Sequence, residues 1–287
     1  MDSATTIIDA QADIEGTLRG KDAQVLGRFR GQIDLTGRRV LITGAGQGVG
    51  RGLAHAFAAA GAEVLVNDVH SDRAESVVDE VRALGAQATP AVFDVTQFEA
   101  VADAVAAAGT VDVLINNAGN AGAEGFGGRG PFAESDPSSW EPYLRVNLYG
   151  AMYCTRAVLP AMIGQRWGRV ITIVSDAGRT GDANGAAYAA SKAGAAGLTR
   201  SIAAENGRHG VTANNIALGT MRTPMTETFW AEHSDSPQAK AILQNYAIRR
   251  PGDPDDAAAI AVLLASDHGS WVTGQTIPVN GGFSFAL

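Results

Sequence analysis

From Arg38 onward the chain alternates short β-branched runs with Ala-rich stretches of helical length, a rhythm that few folds accept. The runs cover residues 39–43, 63–68, 87–94, 111–116, 169–175, 211–217 and 275–279. Most are continuously apolar rather than alternating, as strands covered on both faces must be. Strand–helix–strand repetition requires parallel pairing through right-handed crossovers. The expected fold is α/β: a doubly wound, Rossmann-type parallel sheet of about seven strands, with helices on both faces, in one domain.

Three segments fall outside the rhythm. Residues 1–35 read as a polar N-terminal extension, flexible or docked on the surface, ahead of a domain spanning 36–287. Residues 120–130 form a glycine-rich loop after the fourth strand, and residues 220–250 form a lid-like insertion after the sixth. Ligands of open α/β sheets bind beyond the carboxyl ends of the strands, and both segments, with Ser175, belong at that edge.

Charge and composition exclude several classes. A net charge of −8 argues against a nucleic-acid surface, which needs a basic face. No apolar run approaches the ~20 residues that span a bilayer, so no membrane partner is expected. Cys154 is the only cysteine, which rules out an internal disulfide and suits a reducing, cytoplasmic compartment. The five histidines (His55, His70, His209, His233 and His268) show no ligand spacing, so no metal is expected.

The first strand runs into Thr43-Gly44-Ala45-Gly46-Gln47-Gly48-Val49-Gly50, followed by a helix. Glycines there let backbone approach a pyrophosphate, while the helix N-terminus offers N–H donors and partial positive charge. Gly44, Gln47, Gly48, Val49 and Gly50 are therefore candidate coenzyme contacts. Asp68 ends the second run, where a carboxylate can accept from both ribose hydroxyls and repels a 2′-phosphate; it can also cap the following helix. The coenzyme expected is NAD, with NADP the less favoured choice. Asp94 and Val95 belong beside the adenine, although Asp94 reads equally as a turn residue. Asn117, Ala118 and Gly119 close the fourth run. Asn117 serves either the coenzyme or a tie between loops.

Tyr188 and Lys192 lie four apart in an Ala-rich helix, on one face. A phenol near pKa ~10 is a weak acid at neutral pH, and a neighbouring ammonium is expected to lower it. Ser175, thirteen residues earlier at a strand end, can hold a substrate oxygen. Singly, Ser175 reads as a helix cap and Tyr188 as a packed aromatic. Beside a dinucleotide turn they form a catalytic set.

These motifs together resemble the short-chain dehydrogenase/reductase family, in its shorter single-domain branch. The resemblance runs from Gly31 to Phe283. It rests on the Thr43–Gly50 turn, Asn116-Asn117-Ala118-Gly119, the Tyr188/Lys192 pair, Ser175 at the family's spacing, and Val146-Asn147-Leu148. It implies a hydride transfer between a nicotinamide coenzyme and a secondary alcohol or ketone. Tyr188 would be the general acid/base and Ser175 would polarise the substrate oxygen. Lys192 would lower the Tyr pKa and bind the nicotinamide ribose, and Asn147 would hold a relay water. Thr223 matches a coenzyme-contacting threonine. Three departures stand out: Leu218-Gly219 replaces the usual Pro-Gly, Asp176 puts a charge near the rim, and the 120–130 loop is unusually glycine-rich, with Asn120 and Phe126 able to reach substrate.

For the small-molecule substrate the sequence leaves open 3-oxoacyl or 3-hydroxyacyl thioesters, steroids, other cyclic alcohols and polyols. Arg179, Arg249 and Arg250 are candidates for a carrier phosphate, or ordinary ion-pair partners. Met225, Phe229 and Trp230 are candidates for an apolar lid, with Trp230 equally suited to anchoring it. The resemblance implies a homo-oligomer, dimer or tetramer, joined through helices at 147–161 and 188–206. The competing reading is a catalytically silent dinucleotide-sensing module.

Overall fold

The computed structural model describes residues 33–119, 129–234 and 236–285, and the backbone of four short N-terminal strands. Seven parallel strands form the main sheet: β1 (Arg39–Ile42), β2 (Glu63–Asp68), β3 (Ala88–Val92), β4 (Val113–Asn116), β5 (Gly168–Ser175), β6 (Val211–Leu218) and β7 (Thr276–Val279). Their order is β7-β6-β5-β4-β1-β2-β3. Pro90 lies in β3, at the sheet edge, where a missing N–H costs no ladder bond.

Among the described residues the longer helices are α1 (Gly48–Ala59), α2 (Ser71–Ala83), α3 (Phe98–Ala108), α4 (Gly150–Gln165), α5 (Ala186–Asn206), α6 (Pro224–His233), α7 (Pro237–Leu243) and α8 (Pro254–Ala265). Because successive strand residues face opposite ways, β1 feeds two cores. Val40 and Ile42 pack with Leu53 and Phe57 of α1, while Leu41 packs with Leu114, Cys154 and Met162 on the other face. Burial pushes the Cys154 thiol up to about 12, so it is a packing group and no nucleophile at neutral pH.

The strand order reverses between β1 and β4, which opens the crevice where such sheets bind ligands. Thr43 closes its floor. Its hydroxyl donates to the Ile115 carbonyl at 3.3 Å and accepts from the N–H groups of Asn117 and Ala118 at 3.0 Å each. The backbone of the N-terminal extension pairs within itself, Thr6–Ile8 with Ala23–Val25 and Asp13–Gly16 with Arg28–Gly31, in two small sheets separate from the main one. Among the described residues no helix is long and apolar enough to cross a membrane.

Candidate active site

The glycine turn is built for close approach. Gly44 and Gly48 have φ of 61° and 56°, which disfavour any side chain. A Cβ at Gly50 would meet the Gly44 carbonyl at 2.3 Å and Asn117 Nδ2 at 2.5 Å. Gln47 is the N-cap of α1, and Gly48, Val49 and Gly50 form its first turn, which carries no acidic residue. A bare helix N-terminus beside a backbone cradle fits a dinucleotide pyrophosphate.

Asp68 stands at the end of β2 as expected, but its carboxylate is already engaged. It accepts from Gly46 N at 3.2 Å and His70 N at 3.0 Å, so it shapes the glycine turn and the entry to α2. The exposed Arg73 lies beside the turn: a Cβ on Gly46 would meet Arg73 Cβ at 2.6 Å.

Asp94 lies two residues past the end of β3, not in it, and accepts from Thr96 N at 2.8 Å, the turn role. Val95 is buried against Gly150 of α4, where a Cβ would come within 2.8 Å of its Cγ2. The Asn117 side chain donates to the carbonyls of Thr43 at 2.9 Å and Gly44 at 3.0 Å. It ties β4 to the glycine turn, leaving Ala118 and Gly119 to face the crevice with backbone.

Three elements carry the candidate catalytic residues. Ser175 ends β5 and Tyr188 and Lys192 stand on α5. Asn147 lies in a π-helical turn, Arg145–Tyr149, that leads into α4. Lys192 and Asn147 meet beside Gly119, where a Cβ would come to 2.9 Å from Lys192 Nζ and 3.2 Å from Asn147 Oδ1. Asn147 Nδ2 donates to Ser191 Oγ at 2.9 Å, and that hydroxyl donates to the Tyr188 carbonyl at 2.7 Å, locking α5 to the π turn. The Ser175 hydroxyl has two duties. It hydrogen-bonds the Tyr188 phenol and also accepts from Ala177 N at 3.2 Å, capping the turn Ala177–Thr180.

One electrostatic expectation is corrected. The Tyr188 phenol is raised, not lowered: burial dominates, and the bond from Ser175 only partly opposes it. Asp182 adds to the rise and Arg129 opposes it. Lys192 does not counter it, because Nζ is aimed at the Ile173 carbonyl of β5 at 2.9 Å. Burial also strips water from that ammonium and brings its pKa from 10.5 down to about 8.

The departures are absorbed locally. Just past Leu218-Gly219 the chain is held by Tyr246, whose hydroxyl accepts from Thr220 N at 2.9 Å and donates to Thr220 Oγ1 at 2.8 Å. Thr223 is the N-cap of α6, and its side chain lies where a Cβ on Gly48 would meet it at 3.6 Å, beside the dinucleotide turn. Asp176 is not a rim charge. It is buried, ion-paired to Arg179 at 2.7 Å and hydrogen-bonded by Asn280 Nδ2 at 2.5 Å and Ser284 Oγ at 3.1 Å. Arg179 is thereby committed, and Arg250 holds Asp256 through both nitrogens at 2.6 and 2.8 Å. Both are structural ion-pair partners. Arg249 is exposed.

On the substrate side Trp140, Tyr143 and Phe132 wall a narrow cleft against Tyr188, with room for about 20 Å³, little more than one water. Tyr143 meets Tyr188 edge-on at 6.1 Å between centroids, a contact that no spacing rule announced. A larger cavity of 320 Å³ lies apart from this chemistry, between β7, α8 and Tyr246. Trp230 is buried and anchors α6, whereas Phe229 is half-buried and stacks on His233 at 5.9 Å. Asn120, Phe126 and the rest of 120–128, and the Met225 side chain, lie outside the described residues. Among the described residues no cluster of three or more His, Cys, Asp or Glu is placed to hold a metal.

Known proteins resemble this chain over most of its length. The family model described as short chain dehydrogenase matches residues 38–234. The 7alpha-hydroxysteroid dehydrogenase of Escherichia coli (strain K12) is 36% identical over 252 residues, covering 86% of this chain and 94% of that protein. A structure of a candidate NAD(P)-dependent gluconate 5-dehydrogenase from Beutenbergia cavernae, with NADP bound at low occupancy, matches with a TM-score of 0.80 at 38% identity. It covers 88% of this chain and 98% of that one. A 3-oxoacyl-[acyl-carrier protein] reductase from Brucella melitensis with bound NAD matches with a TM-score of 0.80 at 32% identity, over 89% and 94% of the two chains. A glycine turn, a strand-end serine and a helical Tyr/Lys pair on one doubly wound sheet, matched over most of the chain, make this protein an oxidoreductase of the short-chain dehydrogenase/reductase family.

Proposed function

We propose that the protein interconverts a secondary alcohol and a ketone, with Tyr188 as the general acid/base and NAD, rather than NADP, as coenzyme. The observation that carries the reading is the hydrogen bond between Ser175 and Tyr188, with Lys192 of the same helix as Tyr188 meeting Asn147 beside Gly119. The backbone of Gly48, Val49 and Gly50 would hold the pyrophosphate and Lys192 the nicotinamide ribose, with Thr223 at the edge of the same turn. When bound, the coenzyme supplies or accepts the hydride.

The chain's own groups handle the proton. Ser175 donates to the substrate oxygen and fixes it against the Tyr188 phenol. Tyr188 then gives its proton to that oxygen in reduction, or takes it in oxidation, so that no free alkoxide accumulates. A phenol raised by burial stays protonated across neutral pH, which favours its acid role. Reduction should therefore hold up as pH rises, while oxidation should speed up with pH. The preference for NAD rests on Asp68, whose carboxylate repels a 2′-phosphate. Arg73 beside the turn is the group that would favour NADP instead.

For the substrate, thioesters and hydrophobic cyclic alcohols both remain in the proposal, since the relatives act on a steroid in one case and an acyl-carrier substrate in the other. We also propose a homo-oligomer. Tyr149 and Met152 are exposed on and just before α4, and Phe98 packs tilted against Tyr153 beside them, an apolar face suited to a second copy.

The test is the absorbance of reduced coenzyme, using NAD⁺ and NADP⁺ with a panel of secondary alcohols, and Tyr188→Phe as control. The variant should lose roughly 10²- to 10⁴-fold in kcat while still binding coenzyme. A variant as active as the parent overturns the role of Tyr188. Coenzyme binding without turnover across the panel points instead to the dinucleotide-sensing module.

A further inference from the structure

We infer that Arg129 is an oxyanion-binding side chain of the substrate site, held by Asp182 until an anionic substrate displaces that carboxylate, so that the substrate carries a carboxylate or phosphate near its reacting carbon. The inference rests on the oxidoreductase reading only in placing the reacting carbon at Tyr188.

The geometry is local and unusual. Arg129 Nη2 donates to Asp182 Oδ2 at 2.5 Å, and Gly130 N donates to the Asn184 carbonyl at 3.0 Å. The last two residues of the glycine-rich loop are thus fastened to the segment that leads into α5. The ion pair sits directly on the N-cap of α5: a Cβ on Gly185 would meet Asp182 Oδ2 at 2.8 Å and Arg129 Nη2 at 2.9 Å. Gly185 is three residues before Tyr188, and Gly130, Asn184 and Gly185 line the same cleft as Trp140 and Tyr143. Both charges reach the reacting phenol, Asp182 opposing its ionisation and Arg129 favouring it.

The pair is also easy to exchange. The side chains are 43% and 28% exposed, so water screens their attraction and the bond holds weakly. Among the described residues the two are joined at one nitrogen, Nη2, not fork to fork. A substrate carboxylate or phosphate can engage the guanidinium through two parallel N–H groups, the arrangement for which its shape is suited. Two other arginines considered for an anion are already committed, Arg179 to Asp176 and Ser284 and Arg250 to Asp256. Asp182 then acts as a placeholder that keeps Arg129 positioned when no substrate is present.

The test uses malonate and inorganic phosphate as probes. Each is titrated into the full-length protein saturated with coenzyme, so that the glycine turn is filled, and binding is followed by tryptophan fluorescence, Trp140 being in the cleft wall. Wild type should bind at least one probe saturably. Arg129→Gln should weaken binding on the order of tenfold to a hundredfold, as expected for loss of a charge-assisted contact. Arg129→Lys should restore only part of it, and Asp182→Asn should tighten it by removing the competitor. Stronger binding of malonate identifies a carboxylate substrate, and stronger binding of phosphate a phosphorylated one. No saturable binding of either probe by wild type, or equal binding by Arg129→Gln, overturns the inference. Turnover of a panel of uncharged, carboxylated and phosphorylated secondary alcohols in the same preparations keeps the two readings apart. Turnover without an anion site removes only Arg129, and an Arg129-dependent anion site without turnover removes only the dehydrogenase assignment.

Discussion

Replacing Lys192 with Met should make the coenzyme-free protein more stable while destroying its activity. The reason lies in the dehydrated ammonium. Its fall from 10.5 to about 8 is a roughly 300-fold loss of proton affinity, or about 3 kcal/mol at about 1.4 kcal/mol per tenfold. The bond from Nζ to the Ile173 carbonyl returns about 1 kcal/mol, and Met refills most of the volume. The net gain for Lys192→Met at neutral pH is then about 2 kcal/mol, a rise in Tm of roughly 4 to 8 °C for a protein of this size class. Below about pH 8 the lysine is charged in both folded and unfolded chains, and the folded state carries the whole dehydration cost. Between about pH 8 and 10.5 the folded lysine is neutral while the unfolded one keeps its proton, so wild-type stability rises with pH. Tyr188 acts in the opposite sense only above its ordinary 10.0, where the unfolded phenol ionises and the folded one resists. Urea unfolding of both proteins from about pH 7 to just below pH 10, without coenzyme and at fixed concentration, isolates the lysine. The difference between the two should shrink as pH rises. A variant less stable than wild type at neutral pH, or a difference flat across that range, would refute the reasoning.

Two further substitutions probe the scaffold of the site. Gly50→Ala forces a methyl against the Gly44 carbonyl and Asn117 Nδ2, so it should cost about 1 to 3 kcal/mol and weaken coenzyme binding, read by thermal unfolding and NADH fluorescence titration. Unchanged affinity would show that the turn is not the coenzyme cradle. Asp176→Ala leaves Arg179 and the Asn280 amide without their shared acceptor and should cost about 3 kcal/mol, whereas Asp176→Asn should cost less. Equal, negligible losses in thermal unfolding would mean that the buried network contributes nothing.

The strands were legible because burial on both faces writes itself as unbroken apolar runs, and β2 ends at Asp68 as read. The run at 87–94 overshot because Phe93 is buried for a different reason: it packs with the core beyond the end of β3. Ser175, Tyr188 and Lys192 were readable as a candidate set from their spacing, and Asn147 only through the family resemblance. What spacing does not convey is where the far end of a side chain goes. Lys192 was placed on the face of Tyr188, yet its nitrogen turns toward β5. Asp176 was read as a rim charge because its partners, Asn280 and Ser284, lie more than a hundred residues away. The pairing of Arg129 with Asp182 crosses 53 positions, and the only hint of it was that an arginine follows a run of glycines.

That distant tie at Asp176 has a consequence for biosynthesis. During vectorial synthesis the serine strand, the tyrosine helix and the coenzyme turn emerge first, and the carboxylate beside Ser175 waits for Asn280, 104 positions later, before its charge is fully met. Nascent chains paused before β7 should therefore hold a nearly complete sheet with an unsettled reaction centre, and they should be the species that chaperones meet.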